Sequence, residues 1–330
     1  MVNYVMFGDF IRKYGSYSII QAEKPDGDSL GSALAIDEMI ERPTTLYCPV
    51  NLPGYLKYFR GADRVTVDFD FSAEAYIIVD TAAEILLSKL LNEPAIANRL
   101  YSAPVLVIDH HETEDDLPFP HEKIIEVRPA CSELIFEEAK KNDVKITTEG
   151  AEDIMGGIMS DTLGLTTSSV TARTFEIMAE LTELGASVAE IEDRRRVLMK
   201  KSPRILDYKA DLIKKIDYLL DGRLATVHIP FDEIQEYSNE YNPNVLILEE
   251  MRMVEGVEVA VAIKTYPDGK LTGKIRTESD FPFAEEIAAS FGGGGHKFAA
   301  GFRVYDMSYE DVLRELVKVI VPKLEESEND

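Results

Sequence analysis

The sequence predicts an α/β fold, with an N-terminal domain whose mostly parallel sheet is flanked by helices and a smaller C-terminal α+β domain. Three observations carry this expectation. The chain has 330 residues, more than the roughly 100–150 of a typical domain, so two cores are expected. Its first half alternates strand-length apolar runs with segments of helical period. Its last third shows alternating strands closed by a turn.

Taken in order, 18–21, 46–49, 75–79 and 104–108 are β-rich apolar runs, while 30–40, 82–91 and 132–141 carry apolar residues at helical spacing. Strands separated by helices read as a parallel sheet. Residues 191–221 are helical in period and dense in charge, and mark a helical linker between domains at 1–190 and 222–325. In the second domain 224–229, 257–265 and 270–277 alternate as strands, with Pro267, Asp268 and Gly269 as a hairpin turn.

A formal charge of −25 would repel a long nucleic acid, so any anionic partner is expected to be small or to be met by a metal or a local basic pocket. The two cysteines, Cys48 and Cys131, show no paired spacing and suggest neither a disulfide framework nor a thiolate zinc site. The start of the chain does not read as a signal peptide, and no run approaches about 18 apolar residues. A cytoplasmic protein without membrane contact is expected.

In open α/β sheets ligands gather at the carboxyl ends of strands. Four places there stand out: Asp26 and Asp28 after the first run, Asp80 after the third, Asp109 with His110 and His111 after the fourth, and Asp161 after the apolar run 156–160. The bland alternative for each aspartate is capping of the next helix. Four such positions joined by two adjacent histidines favour a metal, because clustered carboxylates repel unless a cation neutralises them. Carboxylate with imidazole suits manganese, with magnesium as the alternative, and paired divalent ions suit in-line phosphoryl displacement.

These residues resemble the DHH phosphoesterases, in the branch of nanoRNases and pAp phosphatases that carry a C-terminal DHH-associated domain. The first motif is similar to Pro25, Asp26, Gly27, Asp28, the second to Val79, Asp80, Thr81, the name-giving third to Asp109, His110, His111, and the fourth to Ser160, Asp161, Thr162. Gly292 to Gly295 with His296, Ala299, Ala300 and Gly301 look like the glycine-rich signature of the associated domain. The resemblance implies that Asp28, Asp80, His110 and Asp161 hold one Mn2+, with Asp80 bridging to a second that Asp26 also binds. It places His111 near the scissile phosphate with Asp109 orienting the neighbouring imidazole, and it gives substrate contact to Arg276, Gly293, Gly294, Gly295 and His296. For the glycine run, the alternative is a tight turn between a helix and a strand.

The sequence departs from the family where the first motif normally opens with a histidine, here Ala22. Its methyl cannot coordinate; Glu23, turned inward by a bulge, and His121 are the conceivable substitutes. Glu114 is a second departure, on the phosphate side. The leading expectation is an enzyme that hydrolyses a short oligoribonucleotide or pAp. The alternative is a nucleotide-binding or regulatory protein on a degenerate site. The expected partner is a small nucleotide or short oligonucleotide, with a homodimer left open. Arg194 to Arg196 read as salt-bridge partners, and Tyr55, Tyr58 and Phe59 as a largely buried helix face.

Overall fold

A computed structural model describes residues 7–112 and 114–327. The chain divides into two compact units, Met1–Lys200 and Lys201–Asp330, and the division falls within the charged stretch 191–221.

In the first unit six parallel strands are ordered β3-β2-β1-β4-β5-β6: β1 Tyr17–Ile20, β2 Thr44–Tyr47, β3 Val65–Thr66, β4 Ala75–Val79, β5 Val105–Asp109 and β6 Glu122–Ile125. β4 and β5 are buried at every position, as a sheet covered on both faces demands. One face packs on α1 Phe7–Lys13, α2 Gly27–Met39, α5 Cys131–Lys141, α6 Thr148–Asp161, α7 Ala172–Glu183 and α8 Val188–Leu198; the other packs on α3 Ser88–Leu91 and α4 Pro94–Ser102. The stretch 82–91 is less regular than its spacing predicts, with a 3-10 turn at Glu84–Leu87 leading into α3. Arg194, Arg195 and Arg196 pair with Glu152, Glu192 and Asp193, while Tyr58 and Phe59 are buried and Tyr55 is exposed.

Close packing of α2 on α6 brings the site together, and it rests on missing side chains. A Cβ at Gly31 would sit 2.5 Å from the Asp153 carbonyl oxygen and 3.1 Å from Gly157 Cα. Backbone cannot give way as a flexible side chain does, so the two axes approach only because both positions are glycine.

The second unit has α9 Pro203–Lys214, β7 Asp217–Leu219, β8 Leu224–Ile229, α10 Phe231–Tyr237, α11 Pro243–Arg252, β9 Val259–Thr265, β10 Leu271–Thr277, α12 Ala284–Ala289, β11 Gly294–His296, β12 Ala299–Val304 and α13 Tyr309–Ser327. Its sheet runs β11-β12-β10-β9-β8-β7, antiparallel except for the β8–β9 pair. The β9–β10 hairpin turns where Gly269 adopts φ +77°, a conformation glycine takes without Cβ strain. α13 buries Val312, Leu316, Ile320 and Leu324, one stripe at a spacing of four, against the face that α12 also covers. Among the described residues no helix is long and apolar enough to cross a membrane.

Gly31→Ala should lower the stability of the first unit by about 1–3 kcal/mol, the usual cost of overpacking. Gly54→Ala, where no atom lies within 4 Å of the added Cβ, should be near neutral. Urea denaturation followed by tyrosine fluorescence separates the two.

Candidate metal centre

The sheet order reverses between β1 and β4, and the loops leaving the two strands in opposite directions open a crevice there. Asp26 and Asp28 follow β1, Asp80 follows β4, and Asp109 ends β5 with His110 and His111 behind it. Asp161 arrives by a different route. The sequence places it after a strand, but it is the last residue of α6. A five-residue apolar run cannot distinguish strand from buried helix, and here it is the end of the helix pressed on α2.

The imidazole of His110 is the centre of the cluster. Its Nδ1 lies 2.8 Å from the Arg128 carbonyl oxygen, which can only accept, so this nitrogen carries the proton. In the neutral ring Nε2 is then a lone pair, and it faces Asp80 Oδ1 at 3.2 Å, Asp161 Oδ2 at 3.4 Å and Asp28 Oδ2 at 3.8 Å. Both Nε2 and Asp80 Oδ1 are buried without a hydrogen-bond partner. Electron-rich atoms so placed require either an extra proton or a cation. The donor set of one imidazole and three carboxylates fits a divalent cation. Ligand atoms of Asp28, His110 and Asp161 lie within 4.8 Å of one another, as do those of Asp80, His110 and His111.

Each ligand is held in place by the fold. Asp28 is fully buried, and its Oδ1 accepts from the backbone N–H of Ser132 at 2.9 Å and from the Ser132 hydroxyl, while Oδ2 accepts from the Cys131 N–H. α5 has Ala130 at its N-cap, which offers no side-chain bond; the carboxylate of Asp28 satisfies the free N–H groups instead. Gly157 leaves the room, since a Cβ there would lie 2.0 Å from Ser132 Oγ and 2.9 Å from Asp28 Oδ1. Asp80 takes φ +64°, a left-handed conformation uncommon outside glycine and typical of strained functional positions. Ser132, Gly157 and the Arg128 carbonyl are not foreseen from the sequence, because each acts only through a partner brought by another element.

Asp26 behaves differently from the other aspartates. Its Oδ1 caps α2, accepting from the N–H groups of Asp28 at 3.1 Å and Ser29 at 3.0 Å, and Ser29 Oγ accepts from the Asp26 N–H. It belongs to neither triad of clustered ligand atoms. Asp109 is buried; Oδ2 accepts from the Ala82 N–H, and Oδ1 accepts from the His110 N–H and lies 2.7 Å from His111 Nδ1. The ring it orients is therefore that of His111, whose side chain is 46% exposed. Ala22 is buried, and its carbonyl accepts from the Cys48 thiol. Neither conceivable substitute is free: Glu23 holds Ser88 Oγ and the Lys89 N–H, and His121 is spent on Asp115 and the Phe119 carbonyl. Glu114 faces solvent.

In the second unit Arg276, Ala299 and His296 occupy one row across β10, β12 and β11, and directly paired residues share a face. Arg276 is half-buried and donates from Nη1 to the Ile275 carbonyl at 3.0 Å. The glycine run forms a turn and then the edge strand β11. Gly292 sits at φ +69°, and a Cβ at Gly293 would strike the Gly301 carbonyl oxygen at 2.3 Å. Gly294 is open, and Gly295 packs against Ala299 and Ala300.

Without a cation the cluster holds protons. Burial raises Asp161 to about 7, with the charges of Asp28 and Asp26 adding to it. For His110 burial acts downward, but the facing carboxylates of Asp80 and Asp28 outweigh it and push the ring up to about 10. A cation must expel these protons, so its affinity should rise steadily from pH 6 to pH 9, with proton release measurable by titration in weak buffer. Gly157→Ala should displace Ser132 and Asp28 and weaken metal binding by about 10–100-fold, as loss of ligand support generally does, read as a smaller metal-induced rise in melting temperature.

Residues 237–326 match the DHHA1 domain. The probable bifunctional oligoribonuclease and PAP phosphatase NrnA of Streptococcus mutans is 26% identical over 321 residues, 94% of this chain and 96% of that protein. The bifunctional oligoribonuclease and PAP phosphatase NrnA of Thermus thermophilus is 26% identical over 299 residues, covering 88% and 85%. An exopolyphosphatase-related protein from Bacteroides fragilis superposes with a TM-score of 0.78 at 22% identity, over 97% of this chain and 94% of that one. With carboxylates and a histidine gathered at the switch point of the first unit's sheet and a DHHA1 match in the second, the chain is similar to the DHH-family, nanoRNase-like proteins.

Proposed function

We propose that the chain is a divalent-metal phosphoesterase acting on small nucleotides, short oligoribonucleotides and pAp among them. The observation that carries the reading is the unpartnered His110 Nε2 facing three carboxylates. Full-length relatives named as oligoribonuclease and PAP phosphatase support the substrate class. Asp28, Asp80, His110 and Asp161 would hold the metal, with manganese the preferred ion for this donor set. When bound, a divalent cation neutralises charge on the phosphoryl group and polarises it and the attacking water.

The chain's own residues supply the rest. Arg128 fixes the His110 tautomer through its carbonyl, and the N-terminus of α5 holds the Asp28 carboxylate in place. Asp109 accepts from His111 Nδ1–H and leaves Nε2 outward, where a ring carrying a second proton would donate to a phosphoryl oxygen. Arg276, His296 and Gly293 to Gly295 form the substrate side, where a guanidinium grips phosphate bidentately. Partners are thereby limited to a small nucleotide or short oligonucleotide, without long nucleic acid or membrane; a homodimer stays open.

One observation favours a second reading, a nucleotide binder with weak turnover. Ala22 brings no donor, Glu23 and His121 are committed elsewhere, and Asp26 spends one oxygen on capping, which leaves a second cation poorly held. Manganese-dependent hydrolysis of a dinucleotide and of pAp, with bound metal counted, decides between them. An active wild type and an Asp80→Ala variant reduced by about 100-fold or more, as for loss of a principal electrostatic group, sustain the enzyme. An inert wild type holding one metal, with activity gained by Ala22→His, sustains the binder.

A further inference from the structure

Every residue placed so far at the first unit's metal centre would meet metal or phosphate; none would meet a base. Two large apolar side chains stand in the open beside that cluster, Tyr55 at 61% exposure and Leu163 at 74%. Each adjoins a segment that carries ligands. The Tyr55 hydroxyl lies 3.4 Å from the carbonyl oxygen of Pro25, the residue before Asp26, and Leu163 follows Asp161 by two positions. These segments abut, because Gly27, between Asp26 and Asp28, packs so closely on Ser160 that a Cβ there would strike the Ser160 hydroxyl.

Both side chains are held out by ordered backbone. Tyr55 lies in the 3-10 turn Gly54–Leu56, closed by bonds from the Leu56 N–H to the Pro53 carbonyl and from the Lys57 N–H to the Gly54 carbonyl. Leu56, Tyr58 and Phe59 behind it are buried, the Phe59 ring lies against Gly156 of α6 and Gly27, and Arg194 donates to the Tyr58 carbonyl at 3.1 Å. The turn is thereby anchored to the first and fourth motifs while the Tyr55 ring stays in solvent. Leu163 is presented differently: Leu163, Gly164 and Leu165 take φ +49°, +75° and +69° in succession. Left-handed angles are uncommon for bulky residues and cluster at ligand-binding positions. A bond from the Gly164 N–H to the Met159 carbonyl at 2.8 Å locks this turn at the end of α6.

We propose that Tyr55 and Leu163 form the rim that holds the nucleobase of the substrate, Tyr55 by stacking and Leu163 by apolar contact, and so set specificity for a nucleotide over a bare sugar phosphate. The proposal rests on the reading of the metal centre as the site of phosphoester hydrolysis and names the residues that would recognise the base there. Apolar contact adds affinity without adding charge beside a cluster of carboxylates. Tyrosine gives a large flat face for the ordering of only two side-chain angles. Stacking reads the face of a base and not its edge, so every base is accepted.

Calorimetric titration of AMP and of ribose 5-phosphate into the full chain, with Ca2+ in place of manganese, tests it by binding alone. The wild type should prefer AMP by about 10-fold, the worth of one base–aromatic stack. Tyr55→Ala should abolish that preference, and Tyr55→Phe, which keeps the ring and drops the hydroxyl, should retain it. Leu163→Gly should reduce the preference without lowering the melting temperature, since glycine takes the left-handed angle freely. Both positions are exposed, so the variants fold. No preference for AMP in the wild type, an intact preference in Tyr55→Ala, or its loss in Tyr55→Phe would overturn the rim, and an intact preference in Leu163→Gly would remove Leu163 from it. A preference that follows Tyr55 in a chain that does not hydrolyse pAp with manganese would sustain the rim and overturn the hydrolytic reading alone.

Discussion

The tautomer of one imidazole governs the first unit. With Nδ1–H given to the Arg128 carbonyl, the neutral ring of His110 turns a lone pair to the space where Asp28, Asp80 and Asp161 converge. Such an arrangement is stable only around positive charge. The surrounding structure opposes any escape from it: Asp28 is fastened to the start of α5, Asp80 is fixed by an unusual backbone angle, and Asp161 is carried in on a helix that packs through glycines. Stability and function are opposed here, because the fold buries repulsive groups that protons or a cation must reconcile.

That arrangement explains why the helix packing is so tight. α2 brings Asp28, α5 brings the N–H groups that hold it, and α6 brings Asp161; Gly31 and Gly157 let the three meet at backbone distance. A methyl group at either position separates elements that must touch for the ligands to converge. The glycines are therefore part of the site although none contacts a ligand.

The second unit handles charge in the opposite sense. Across a strongly acidic chain, one sheet face has a groove lined by Lys264, Lys274 and Arg303 with no aspartate or glutamate among its lining residues. The same face supplies small residues at Ala262, Ala299 and Gly301, so the cations border open space. Such a basic face on an acidic chain would repel long polyanions at a distance and attract a small anion at close range.

How much of this was legible in sequence varies by element. Strand runs 75–79 and 104–108 were readable because both faces are buried and the apolar run is continuous. The edge strands β3 and β6 were not, being short and polar, as edges are. The hairpin at Gly269 was marked by turn residues that act locally. In 82–91 the spacing predicts one helix, because spacing does not distinguish a 3-10 turn from the helix it enters.

The sequence by itself determined the class of fold and marked the candidate donors: Asp28, Asp80, His110 and Asp161 are spelled out in short local strings, and Ala22 is visibly unable to coordinate. Tertiary structure alone decided which of those donors converge, that Asp26 spends an oxygen on a cap, that Asp161 comes from a helix, and that Glu23 and His121 are unavailable. The reason is physical. Residue type and local period are properties of neighbours in the chain, whereas a lone pair facing three carboxylates, or a lysine left without a counter-charge, arises only when distant segments are packed to contact.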